Sequence, residues 1–167
     1  RAQPLIRIHH EYSDKHILLD VWQVKDFSGE PFGREGQAVR WVPMGELIGY
    51  PFPAANLPIL RAVMLPSEYL ISDEEADEDA FDAKLERALE EDGVRLVQLR
   101  AKTLDEDAYV ARAERALALC RRYGAKLMLN GEPELLERID ADGIHLTSER
   151  LMGLERRPIA EAKWLAA

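Results

Sequence analysis

The feature that most constrains this chain is a change of rhythm across residues 62–72, AVMLPSEYLIS. Before it, apolar and polar residues alternate as in antiparallel strands. After it, short apolar runs alternate with long charged stretches that have helical spacing. Pro66 and Ser67 stop the apolar helical run that ends near Leu65, and Tyr69-Leu70-Ile71 opens a new strand. One architecture does not produce both rhythms, so the seam reads as a boundary between a domain over residues 1–65 and another over 66–167, both of the α/β class.

Charge divides at the same place. Residues 1–65 carry seven Lys or Arg and seven Asp or Glu, so the whole net charge of -9 falls in the later part. An acidic domain is a poor partner for a nucleic-acid polymer, whose phosphates call for clustered cations. No long apolar run crosses a membrane and no leading basic-plus-apolar segment marks secretion. Cys120 is the sole cysteine. It fits the apolar pattern of a helix and is compatible with a reducing cytoplasm, the expected location. The acidic run 73–79 precedes a helix and reads as its solvated first turn, favoured by the helix dipole. The chain opens at Arg1 within a strand-like pattern, which reads as a fragment.

In the first part, 4–12 and 16–27 are strand candidates around Ser13-Asp14-Lys15, a hairpin signal. A third strand is expected over 38–42, a short helix from Pro43, and another helix over 57–65. Glu35 sits between glycines in Gly33-Arg34-Glu35-Gly36-Gln37. There it forms either a surface turn or a carboxylate free to meet a hard cation or act as a base. Asn56 stands at a helix start, where its amide either caps the helix or reads a nucleobase edge, with capping the default.

In the second part, strands are expected over 69–72, 95–100, 126–130, 143–146 and 163–166. Helices are expected over 81–91 and 107–123, with Gly93 and Gly124 as C-terminal stops. Repeated βα units imply parallel strands. Their number suits an open doubly wound sheet or part of a (β/α)8 barrel equally. Gln98, Arg100, Lys102 and Asn130 fall at the C-terminal ends of strands, where either fold places a site. Arg100 with Lys102 suits a phosphate, or else marks a solvated strand end. His145, without a neighbouring His or Cys, reads as a packed and hydrogen-bonded side chain.

Two resemblances sharpen this. Tyr12-Ser13-Asp14-Lys15-His16-Ile17, Gly29-Glu30-Pro31, Arg34-Glu35-Gly36-Gln37, Trp41-Val42 and Phe52-Pro53-Ala54-Ala55-Asn56 resemble the C-terminal half of MutT-type Nudix hydrolases. That likeness implies part of an α/β/α sandwich with a mixed sheet, and an enzyme of the nucleotide pool and DNA repair that cleaves 8-oxo-dGTP with Mg2+. It places Glu35 near metal and attacking water, Asn56 against the oxidised purine, and Tyr12 and Lys15 among the nucleotide contacts. The Nudix box that supplies the main metal ligands is not found in these residues. Gly131-Glu132-Pro133-Glu134 only mimics its start, so this stretch by itself is expected to be inactive.

From Tyr69 onward, Val97-Gln98-Leu99-Arg100-Ala101-Lys102, Leu129-Asn130 and Ala141-Asp142-Gly143-Ile144-His145-Leu146 resemble the first half of thiamine-phosphate synthase and its TenI relatives, which are (β/α)8 TIM barrels. The likeness places Gln98, Arg100, Lys102 and Asn130 against a phosphorylated aminopyrimidine. Gly131 and Arg150 stand where that family carries magnesium-binding aspartates, and Ala101 replaces its usual glutamate. The combination implies a bacterial nucleotide hydrolase with an accessory barrel. The alternative is a thiamine-phosphate synthase or a module that binds a thiamine-related ligand.

Overall fold

The computed structural model describes residues 1–160 and 163–167. Their backbone contacts form two units, Arg1–Leu65 and Pro66–Ala167.

In the first unit β1 (Ala2–Glu11) and β2 (His16–Val24) make an antiparallel hairpin, with Glu11 opposite His16 and Ala2 opposite Val24. The register slips between Pro4 and Ile6. Pro4 has no N–H to give the ladder, so an irregularity there is the expected response. The Tyr12 N–H closes the turn on the Lys15 carbonyl at 2.8 Å. Leu18, Trp22 and Val24 line one exposed face of β2, while Ile17, Leu19 and Val21 are half-buried on the other. Two 3-10 turns, Met44–Gly49 and Ala54–Asn56, lead into α1 (Leu57–Met64), which packs on β1 and carries a proline in its first turn.

The strand expected over 38–42 does not form. A strand exists only with a hydrogen-bonding neighbour, and β1 and β2 pair only with each other. The segment instead folds back through aromatic contact, Trp41 stacking on Phe27 with ring centroids 5.7 Å apart.

In the second unit β3 (Leu70–Ile71), β4 (Leu96–Leu99), β5 (Lys126–Asn130), β6 (Gly143–His145) and β7 (Trp164–Ala166) form a parallel sheet in chain order. α2 (Glu78–Glu90), α3 (Glu106–Arg122), α4 (Leu135–Arg138) and α5 (Ser148–Met152) lie between strands. That order settles what rhythm leaves open. A doubly wound sheet turns back at a switch point, whereas here every strand adds to the same edge, as in a barrel wall. The sheet also curls, for the Tyr69 hydroxyl beside β3 lies 3.2 Å from Nδ1 of His145 in β6.

Helix ends follow local chemistry. Asp77 and Asp105 accept from the N–H groups of Ala80 and Ala108 at 2.8 and 2.9 Å, capping α2 and α3. Gly93 and Gly124 follow these helices at φ of 69° and 66°, the left-handed region that glycine enters without a Cβ clash. The acidic run before α2 is thus a cap in part, but it is not merely solvated, because Glu78 reaches Arg112 and Arg115 of α3.

The core lies between sheet and helices, where Val97, Leu99, Leu127, Leu129 and Ile144 meet α2 and α3. Cys120 is fully buried there, and burial pushes its thiol up to about 12, so it is an inert packing residue. Among the described residues no helix is long and apolar enough to cross a membrane.

Candidate functional site

Parallel strands bring their C-terminal ends to one rim, so Gln98, Arg100, Asn130 and His145 gather at one end of the second unit. Strand alternation separates them from the core. Val97 and Leu99 point to the helices, while Gln98 shares a row with Met128 and Gly143 on the opposite face. Gln98 is 3% exposed and its Oε1 has no hydrogen-bond partner. A buried acceptor left alone costs about 1–3 kcal/mol. It can accept from an N–H or O–H group that reaches this face of the sheet.

Asn130 is held from two sides. Its backbone N–H donates to the Tyr109 hydroxyl at 3.0 Å, and that hydroxyl donates to the Leu99 carbonyl at 3.1 Å. Tyr109 thereby ties the ends of β4 and β5 together, and burial pushes its pKa up to about 12, so it keeps its proton. The Asn130 amide donates to the His145 carbonyl at 3.3 Å. Burial lowers the pKa of His145 and raises that of Tyr69 to about 12. The Tyr69 hydroxyl and Nδ1 of His145 are hydrogen-bonded at 3.2 Å, which makes His145 the packed histidine that the sequence suggests.

Arg100 is fixed by its backbone. Its N–H donates to Ser72 Oγ at 2.9 Å, and Ser72 donates back to its carbonyl at 3.1 Å. The Arg100 guanidinium is 41% exposed and stays 3.9 Å from Glu74. Lys102, Tyr109, Asn130 and Leu135 help to line an adjoining cavity of about 290 Å³. A second cavity of about 380 Å³ holds Thr147, Glu132 and Arg150, the last two ion-paired at 2.9 Å. This rim can grip an oxyanion and read an N–H group. Gly131 and Arg150 add no carboxylate to it.

In the first unit the candidate residues lie on separate turns. Lys15 Nζ sits 5.5 Å from the Tyr12 ring centroid at the hairpin tip. Glu35 occupies a turn closed by Gly36 N–H donating to the Gly33 carbonyl at 3.0 Å, with Gly36 at φ 82°. Its carboxylate accepts from the Gln37 amide at 3.3 Å. Asn56 precedes α1 but makes no side-chain cap bond, contrary to the capping expected of it, because it takes a helical conformation at φ -93° and ψ -13°. Among the described residues no group of three or more His, Cys, Asp or Glu can hold a metal. Among the described residues of this unit Glu35 offers one carboxylate, a single member of the oxygen set that a magnesium ion takes.

Three contributors are hard to see in the sequence. Tyr109 acts through its hydroxyl, far from the strands it joins in sequence. Glu74 looks like one carboxylate among many. Arg112 left a signal, a charge on the apolar stripe Tyr109-Ala113-Ala116 of α3.

A curled parallel βα sheet with polar side chains gathered at its C-terminal rim has the architecture of a barrel wall. Residues 68–167 match the family model described as thiamine monophosphate synthase, and the chain belongs to that family. Residues 1–62 match the model of a NUDIX domain, which makes the chain a Nudix–TenI fusion. It is 39% identical over 54 residues to an 8-oxo-dGTP diphosphatase of Escherichia coli, covering 32% of this chain and 42% of that relative. It is 46% identical over 74 residues to a thiamine-phosphate synthase of Thermus thermophilus, covering 44% and 35%. With the thiamine-phosphate synthase of Nitrosospira multiformis it shares 37% identity over 95 residues, covering 57% and 38%. The chain thus spans less than half the length of each of these relatives.

Proposed function

We propose that the whole protein hydrolyses an oxidised purine nucleoside triphosphate, taking 8-oxo-dGTP to 8-oxo-dGMP and pyrophosphate, while the barrel unit is an accessory that holds a phosphorylated ligand. The observation that carries the first half is that the NUDIX match contains Tyr12, Lys15, Glu35 and Asn56 together. The uncapped amide of Asn56 supports it, since an Asn that makes no cap bond to the helix it precedes keeps its donor and acceptor for a base edge. Glu35 has the chemistry of a base toward water. The four residues divide between nucleotide contact and chemistry, with Glu35 the one carboxylate among them that a magnesium ion could also take.

Discrimination between oxidised and normal guanine tests the role of Asn56. The whole protein should release pyrophosphate from 8-oxo-dGTP in preference to dGTP, and Asn56→Ala should reduce that preference by about tenfold, the effect of a lost hydrogen-bonded contact. Equal use of both nucleotides by the unaltered protein would sink this reading.

A second reading concerns the barrel unit, and Gln98 favours it. A buried acceptor without a donor, beside Arg100 and Lys102, suits a ligand that joins an N–H group to a phosphate. Thiamine-phosphate synthesis itself has less support, because Gly131 and Arg150 offer no carboxylate to gather a metal around a departing diphosphate. Binding without turnover fits these residues better.

A further inference from the structure

The loop after β4 already holds an anion, and it belongs to the chain. Glu74 Oε1 accepts from the Lys102 N–H at 3.1 Å, and Oε2 accepts from the Thr103 N–H at 3.4 Å and the Thr103 hydroxyl at 3.2 Å. Arg100 Nη1 stands 3.9 Å from the same carboxylate. Two consecutive amides, a hydroxyl and a guanidinium around one carboxylate make a nest for an oxyanion. The Lys102 side chain borders the cavity of about 290 Å³ next to it, and Glu106 on that cavity's rim is ion-paired with Arg138.

The flanking residues are engaged elsewhere. Lys84 takes Asp73 at 3.0 Å and Glu75 at 2.6 Å, and the Glu75 carbonyl accepts from Arg112 at 2.7 Å. Glu74 alone of the three turns to the β4 loop. Its side chain is 32% exposed, so it can swing into water without unpacking a core. Its carboxyl lies below the ordinary range, chiefly through the Lys102 amide and with a contribution from Arg100, so it is charged at neutral pH.

We propose that Glu74 is an internal stand-in for the ligand's phosphoryl group. It closes the Lys102–Thr103 nest in the free protein and is displaced when a phosphorylated ligand binds. This rests on the reading that the β4 rim is an oxyanion site, and it adds a built-in competitor to that site. Competition lowers apparent affinity by the fraction of nests left open, so a plug closed nine times in ten weakens binding by about tenfold.

Inorganic pyrophosphate is the probe, titrated into the full chain in a chelator-containing buffer and followed by calorimetry and by the amide shifts of Lys102 and Thr103. Pyrophosphate should move both amides, and Glu74→Ala should tighten binding by about tenfold, with Glu74→Gln as the shape-preserving control. Binding seen only after Glu74→Ala supports the proposal equally. Equal or weaker binding by both variants, while Arg100→Ala weakens it further, overturns the stand-in role and leaves the rim site standing. Absence of binding to the original chain and to both folded Glu74 variants overturns the two together.

Discussion

Arg112→Ala should destabilise the second unit by about 3 kcal/mol, mainly through the cavity left by a buried side chain and the loss of its hydrogen bonds, since Glu78 is 38% exposed and keeps Arg115. Arg112 is 1% exposed in α3, yet every part of its guanidinium is engaged. Nε and Nη2 donate to Glu78, and Nη1 donates to the Glu75 carbonyl at 2.7 Å. The group also lies over the Phe81 ring, 4.8 Å from its centroid. Alanine leaves a cavity beside Phe81 and strips the start of α2 of its anchor. Thermal and urea unfolding should show the loss as a melting temperature lower by ~10 °C or more. Arg112→Met refills the volume and lets Glu78 turn to water and Arg115, so its cost should be smaller. A melting curve for Arg112→Ala that overlays the original would contradict the account.

The same pair sets a pH dependence. The Arg112 hydrogen bond holds the Glu78 carboxyl below its ordinary value of 4.5. A depressed carboxyl stabilises the fold fully above its unfolded pKa, and that contribution is lost as pH falls through the lower folded value. Stability should therefore fall as pH drops below 4.5, less steeply in Arg112→Ala.

Gly143→Ala should be comparably damaging, at about 3 kcal/mol, the upper part of the range for overpacked sites. A Cβ on Gly143 would lie 2.2 Å from the Trp164 carbonyl oxygen and 2.7 Å from Met128 Sδ. The oxygen belongs to the backbone of β7, which pairs with β6 at this residue, so no rotamer change relieves the clash. β7 would have to withdraw, breaking the bond from Leu146 N–H to the Ala166 carbonyl at 2.8 Å. Hydrogen exchange at Leu146 should accelerate strongly. Unchanged exchange there, with an unchanged melt, would show that the two strands do not meet this closely.

What could be read from the residues was local. Helical spacing located α2 and α3, and Gly93 and Gly124 marked their ends because a positive φ is a property of one residue and its neighbours. The strands of the second unit were legible as apolar runs, but their order in the sheet was not, since order is set by packing between runs. Residues 38–42 failed for a related reason, as propensity without a partner does not make a strand. Gln98, Arg100 and Asn130 were visible as polar groups at strand ends. Glu74 and Tyr109 were not, because their partners stand 28, 29, 10 and 21 residues away in sequence.

The proposed division of labour between the units is tested most directly by one assay. Hydrolysis of 8-oxo-dGTP should be followed in the whole protein carrying either Glu35→Gln or Arg100→Ala. Glu35→Gln should lower the rate about 100-fold, the scale of a lost general base, and Arg100→Ala should leave it unchanged. Full hydrolysis by the Glu35→Gln protein would contradict that division.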